Sequence, residues 1–184
     1  MTILVQLRYN DQVMFERYSK NVLAEYLRSF VFGVEDSLAS TVGLLSGIAI
    51  AGVARETILL TGVILILVEA FSMAMGDFLS EYSSESYIQQ AEVPSRRSFV
   101  AAFIMFFSYL LAGLIPLFPY LILAPELAVW FSISLSLLAL FFLGVVGAKI
   151  SNINALKSGF RMFLTGGAAI LVGVIVGVFL GNNI

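Results

Sequence analysis

Three side chains set four residues apart, Glu69, Met73 and Asp77, place a carboxylate, a thioether and a second carboxylate along about 12 Å of one helical face. Carboxylate oxygens with a thioether sulfur suit ferrous iron or manganese better than magnesium or calcium, which take oxygen donors alone. The bland alternative for Met73 is simple packing, the commonest role of a methionine on an apolar helix. A second acid, Asp36, begins a stripe with Ser40, Gly43 and Gly47, the i, i+4, i+7, i+11 rhythm of one face. Asp36 is therefore expected to face inward, either as a ligand or as a hydrogen-bond partner of a neighbouring helix. Its neighbour Glu35 points about 100° away and reads as an interfacial acid. Further along, Glu81 and Glu85 lie one turn apart, as a solvated helix end or as a weak cation-gathering vestibule.

These acids sit in a chain built for a bilayer. Hydrophobic residues make up 60% of its 184 and charged residues 12%, which marks an integral membrane protein whose length leaves no room for a soluble catalytic domain. A carboxylate at membrane depth costs roughly 2.5 to 3.5 kcal/mol on insertion scales and persists where it has a partner or a task. Cysteine and histidine are absent, so disulfides, thiolate sites and imidazole ligands are excluded. An enzyme is not expected, because no serine has an evident base beside it. The net charge of -2 gives no case for nucleic acid. The opening MTILVQLRYNDQ is too weakly apolar for a signal peptide.

Five apolar runs of spanning length can be placed at about 30–53, 58–80, 98–123, 127–149 and 160–181. The fold class expected is all-α: a five-span membrane domain over 30–181, preceded by an amphipathic segment, residues 1–29. Within that segment Met14, Tyr18, Val22 and Tyr26 form one stripe, with Glu16, Lys20 and Arg28 elsewhere, as in a helix lying at the interface or leading into the first span. Nine of the ten basic residues fall before span one, between spans two and three, or around the link from four to five; Arg55 alone falls on the other side. That bias predicts a cytoplasmic N-terminus and an outside C-terminus. Gly173, Gly177 and Gly181 on span five, with Gly43 and Gly47 on span one, mark close helix approach, within one chain or between subunits. Pro116 and Pro119 are expected to bend span three and free carbonyls that need partners.

Together these residues resemble the vacuolar iron transporter family, five-span carriers of ferrous iron and manganese with a Gly-x-x-Asp-Gly-Leu signature in the first span. The matching stretch is Gly33-Val34-Glu35-Asp36-Ser37-Leu38, followed by Gly43-Leu44-Leu45-Ser46-Gly47. The second-span pattern is met by Ser72-Met73 and Gly76-Asp77-Phe78-Leu79-Ser80. The third-span pattern fits Gly113 to Tyr120, the fourth Leu137 to Gly144, and the fifth Arg161-Met162 with Gly166. The resemblance covers about residues 26–181. It implies a homodimer with the first spans lining a pore on the two-fold axis, Asp36 and Met73 on the metal path, and export from the cytosol in exchange for protons. It implies no cofactor beyond the transported Fe2+ or Mn2+.

Three departures stand out. Ser37 replaces the glycine after the aspartate. Leu65 stands where plant members carry an acid, with Glu69 a turn later, which leaves open whether Glu69 takes that place. The connection from Tyr82 to Arg97 is too short for the Glu-rich metal-collecting domain of plant members.

The reading that follows is a divalent metal carrier driven by proton antiport. A carboxylate in low dielectric favours its neutral form and an arriving dication the charged one, so binding metal expels protons. The host would be the cell membrane of a prokaryote or an organellar membrane of a eukaryote. Two other classes fit less of the sequence: an organic-cation exporter with Glu69 as counter-ion and Trp130 among the pocket aromatics, and a non-transporting membrane scaffold assembled through its glycine stripes.

Overall fold

The computed structural model describes the backbone of residues 2–181 and the side chains of residues 20–179 and 181. Those residues form helices α1 (Thr2–Ile50), α2 (Arg55–Gln89), α3 (Arg96–Ile122), α4 (Pro125–Ile150) and α5 (Ala155–Gly181). Each holds a stretch long and apolar enough to cross a membrane. The chain is an all-helical, multi-pass membrane protein. Large apolar side chains such as Leu60, Ile64, Leu67 and Phe71 on α2, or Leu164, Leu171 and Ile175 on α5, point outward, as lipid-facing surfaces do.

The helices are longer than the apolar runs alone indicate. The first runs unbroken from Thr2 to Ile50, about 70 Å if straight, more than twice the roughly 30 Å of a bilayer's hydrocarbon core. The segment before the first span therefore leads straight into it. Met14 and Tyr18 lie outside the described side chains; Val22 and Tyr26 are half-buried, Lys20 and Arg28 exposed. The second continues to Gln89, beyond the expected end near residue 80, because nothing between them breaks a helix. Gln89 donates to Glu85 one turn earlier (3.2 Å), and Gln90 closes the helix in the left-handed region, φ 50°. The connection to α3 shrinks to 90–95.

The core forms around α1, which touches all four other helices. Leu45 joins Ile58 and Ile66 of α2, Leu117 and Tyr120 of α3, and Ala128 and Val129 of α4 in one apolar cluster. Leu38 joins Ala112 of α3 and Leu140 of α4 in a second. On its remaining side α1 lies against α5 at backbone distance. A Cβ on Gly173 would sit 2.3 Å from the Gly43 carbonyl oxygen, and one on Gly177 2.2 Å from that of Gly47. The paired glycine stripes thus make an intramolecular contact, the close approach that drives helix association where lipid and side chain are equally apolar.

Both span-three prolines lie inside α3; the carbonyls they deprive of a helical N–H are those of Ala112 and Ile115, four residues earlier, and the last turns of the helix are braced at other carbonyls. Ser132 Oγ donates to the Pro116 carbonyl (2.7 Å), and the Leu123 N–H to that of Pro119 (2.9 Å). Arg55, at the start of α2, donates to the Tyr120 carbonyl (2.7 Å) and also to that of Leu121. A guanidinium there neutralises the negative end of α3.

Candidate functional site

Polar faces of α1 and α2 meet along two clusters at different depths. In the deeper one, Tyr109 of α3 is fully buried, and its hydroxyl donates to Glu69 Oε2 (2.6 Å). With its single hydrogen committed there, the same oxygen accepts from Ser40 Oγ (2.8 Å). Ser37 Oγ donates to the Tyr109 backbone carbonyl (2.7 Å). One residue of α3 therefore ties α2 at Glu69 to α1 at Ser37 and Ser40, one and four residues after Asp36. Asp36 is half-buried and has no hydrogen-bond or ion-pair partner among the described residues. Among the described residues, the charged groups that bear on it are the carboxylates of Glu69 and Glu35.

In the other cluster, nearer the N-terminal end of α1, every acid is matched. Asp77 Oδ2 accepts from Ser29 Oγ (2.8 Å), and its Oδ1 pairs with Arg28 (3.3 Å). The same guanidinium reaches Glu81 (3.1 Å). Arg97, at the start of α3, pairs with the buried Glu25 and lies 3.7 Å from Glu85. Glu25 and Glu81 also lie near enough for their charges to interact. The cluster locks α1, α2 and α3 at one end of the bundle.

These two anchor points set the register between α1 and α2. Ser29 meets Asp77 at one level, and Ser40 meets Glu69, through Tyr109, at the other. The helices run antiparallel, so Asp36, four residues from Ser40, stands about level with Met73, four residues from Glu69. The stripe Glu69–Met73–Asp77 divides into two environments: Glu69 is bonded to Tyr109 and Asp77 lies in the ion-paired cluster, with Met73 between them on the helix. Glu81 and Glu85 belong to that cluster as well. Glu35 diverges toward α5, where Thr165 Oγ1 comes only to 3.5 Å.

A single chain brings two carboxylates, Asp36 and Glu69, into the deeper cluster, with Met73 about level with Asp36 by register. Among the described residues no group of three or more acids is gathered tightly enough to hold a metal ion. Tyr109, Ser29, Arg28, Arg97 and Glu25 escape a reading of acid and methionine spacing. Tyr109 carried one available signal: a phenol at mid-span needs a hydrogen-bond partner once buried.

Four spans packed around a polar first one define the class, a multi-pass helical membrane protein with acids held inside the bundle. The sequence model of the VIT family matches residues 27–98 and 88–178, and the chain belongs to that family. Vacuolar iron transporter homolog 3 of Arabidopsis thaliana is 27% identical over 184 aligned residues, covering 93% of this chain and 90% of the relative. Vacuolar iron transporter homolog 2 of Oryza sativa subsp. japonica is 28% identical, over 81% of this chain and 87% of the relative. Vacuolar iron transporter homolog 1 of Arabidopsis thaliana is 27% identical, over 88% and 86%. All three are named as transporters rather than enzymes.

Proposed function

We propose that this protein moves a divalent metal, Fe2+ and also Mn2+, out of the cytosol, exchanging it for protons. The observation that carries this reading is the deeper site. Asp36 and Glu69 lie within electrostatic reach of each other, with no cation of the described residues among the charges that bear on Asp36, and Met73, one turn from Glu69, stands about level with Asp36 by register. Charge balance in such a site comes from protons or from a cation. A site that accepts either in turn performs antiport: the metal enters as protons leave, and the reverse step resets it. The names of the relatives point to iron as the cargo.

Asp36, Met73 and Glu69 form the transport path, with Asp77, Glu81 and Glu85 near its mouth. The positive-inside bias assigns that ion-paired mouth and the N-terminus to the cytoplasm, and the C-terminus to the far side. Three donors fall short of the six that octahedral Fe2+ or Mn2+ takes, which supports a homodimer in which a second α1 brings its own Asp36 to a shared axis.

Uptake of Fe2+ and Mn2+ into proteoliposomes, recorded with lumenal pH, tests the reading. Metal flux with opposite proton movement is expected, abolished in Asp36→Ala and strongly reduced in Met73→Ala. Wild-type rates in both variants would sink the site assignment, and flux without proton movement the antiport.

A further inference from the structure

The geometry points to Tyr109 as a positioning residue that holds Glu69 as a single-oxygen donor beside Asp36 and so sets which dications the site accepts. This rests on the transport reading above and sharpens it at one residue. Glu69 sits on α2, a helix that presents large apolar side chains outward through Leu67, Val68 and Phe71. A glutamate has three side-chain torsions, and nothing on its own helix directs the carboxylate inward. The direction comes from the Tyr109 hydroxyl, which engages Oε2 at 2.6 Å.

Tyr109 is itself immobilised on both sides: its ring is fully buried, its hydroxyl accepts from Ser40, and its backbone carbonyl accepts from Ser37. The two serines lie within the turn of α1 that follows Asp36, so the helix carrying Asp36 also fixes the group that orients Glu69. The separation of the two carboxylates is thereby set by α3, not by the loose α2 side chain.

The chemical consequence is selectivity. With Oε2 held by a phenol, two-oxygen chelation by Glu69 has to compete with that hydrogen bond, and Oε1 is the oxygen left free of it. One-oxygen carboxylate binding matches the compact octahedral shell of manganese or ferrous iron, whereas calcium, with six to eight oxygen ligands at longer distances, gains most from two-oxygen chelation. Releasing Oε2 would let Glu69 chelate through both oxygens.

The experiment uses the full chain in proteoliposomes and reads one ratio, the Ki of Ca2+ as competitor divided by the KM of Mn2+. Tyr109→Phe, which keeps the ring and removes the hydroxyl, is expected to lower that ratio about tenfold, the scale of one hydrogen bond to a charged group. Glu69→Asp, too short to reach the phenol while keeping its charge, should lower it likewise. In a Glu69→Gln background, Tyr109→Phe should change nothing further. Ser132→Ala, which removes a buried hydroxyl's hydrogen bond to Pro116 away from the site, should leave the ratio alone, because general loosening moves both constants together. An unchanged ratio in Tyr109→Phe, or independent multiplying effects of Tyr109→Phe and Glu69→Gln, overturns the positioning role. Wild-type transport by Asp36→Ala is the separate result that would overturn the transport site itself.

Discussion

The two acid clusters on the α1–α2 seam are made from the same parts and solved differently. Midway along α1, Glu25, Asp77, Glu81 and Glu85 meet Arg28 and Arg97. Deeper in, Glu69 meets Tyr109, whose hydroxyl Ser40 also engages, and Asp36 has no such partner among the described residues. An arginine balances a carboxylate permanently and ties helices together. A hydroxyl orients a carboxylate without discharging it, so its charge stays free to respond to a proton or a metal. The contrast separates acids that hold the bundle from acids that can exchange their counter-charge, although all of them look alike as letters in a sequence.

The most disruptive way to break that contrast is to give the deeper cluster a cation of its own. Met73→Lys would bring an ammonium level with Asp36 and is expected to abolish metal uptake, below the residual rate of Met73→Ala, while the thermal midpoint in detergent holds or rises. Persisting transport in Met73→Lys would mean that the metal passes elsewhere.

The converse experiment removes a cation from the outer cluster. Glu25 is buried to all but 6% of its side chain, so Arg97→Ala strands a carboxylate and should destabilise the protein by about 3 kcal/mol. Adding Glu25→Gln should restore much of the loss, which denaturation of the double variant would show. The smallest effects are expected around Asp77. Ser29→Ala removes one hydrogen bond to a buried acid, about 1 kcal/mol. Arg28→Ala should cost less still, because that guanidinium is 58% exposed and solvent screens its pairs. Uptake that collapses in either variant, at unchanged stability, would move Asp77 into the transport path.

Much of this was legible in advance. Five spans follow from apolar run length, and the inward faces of Asp36 and of Glu69–Met73–Asp77 follow from helical spacing, since period alone decides which side chains share a face. The glycine stripes announced a close helix contact but left the partner open. That the partner is α5 of the same chain depends on which helix happens to lie beside Gly43 and Gly47. The helical course through Glu81 and Glu85 was readable too, but where that helix stops was not: α2 continues to Gln89 through a polar stretch on which hydropathy is silent, because hydropathy senses lipid and not backbone hydrogen bonding.

The sequence by itself determined composition, span number, the polar faces and the likeness to a family, because each is a property of local order along the chain. Only the tertiary structure decided which acids share a neighbourhood and which are neutralised. Asp77 belongs with Arg28, and Glu69 with Tyr109, forty residues away on another helix. The reason is physical: the state of a carboxylate depends on charges and donors within a few ångströms, and in a bundle those come from helices that are distant in sequence.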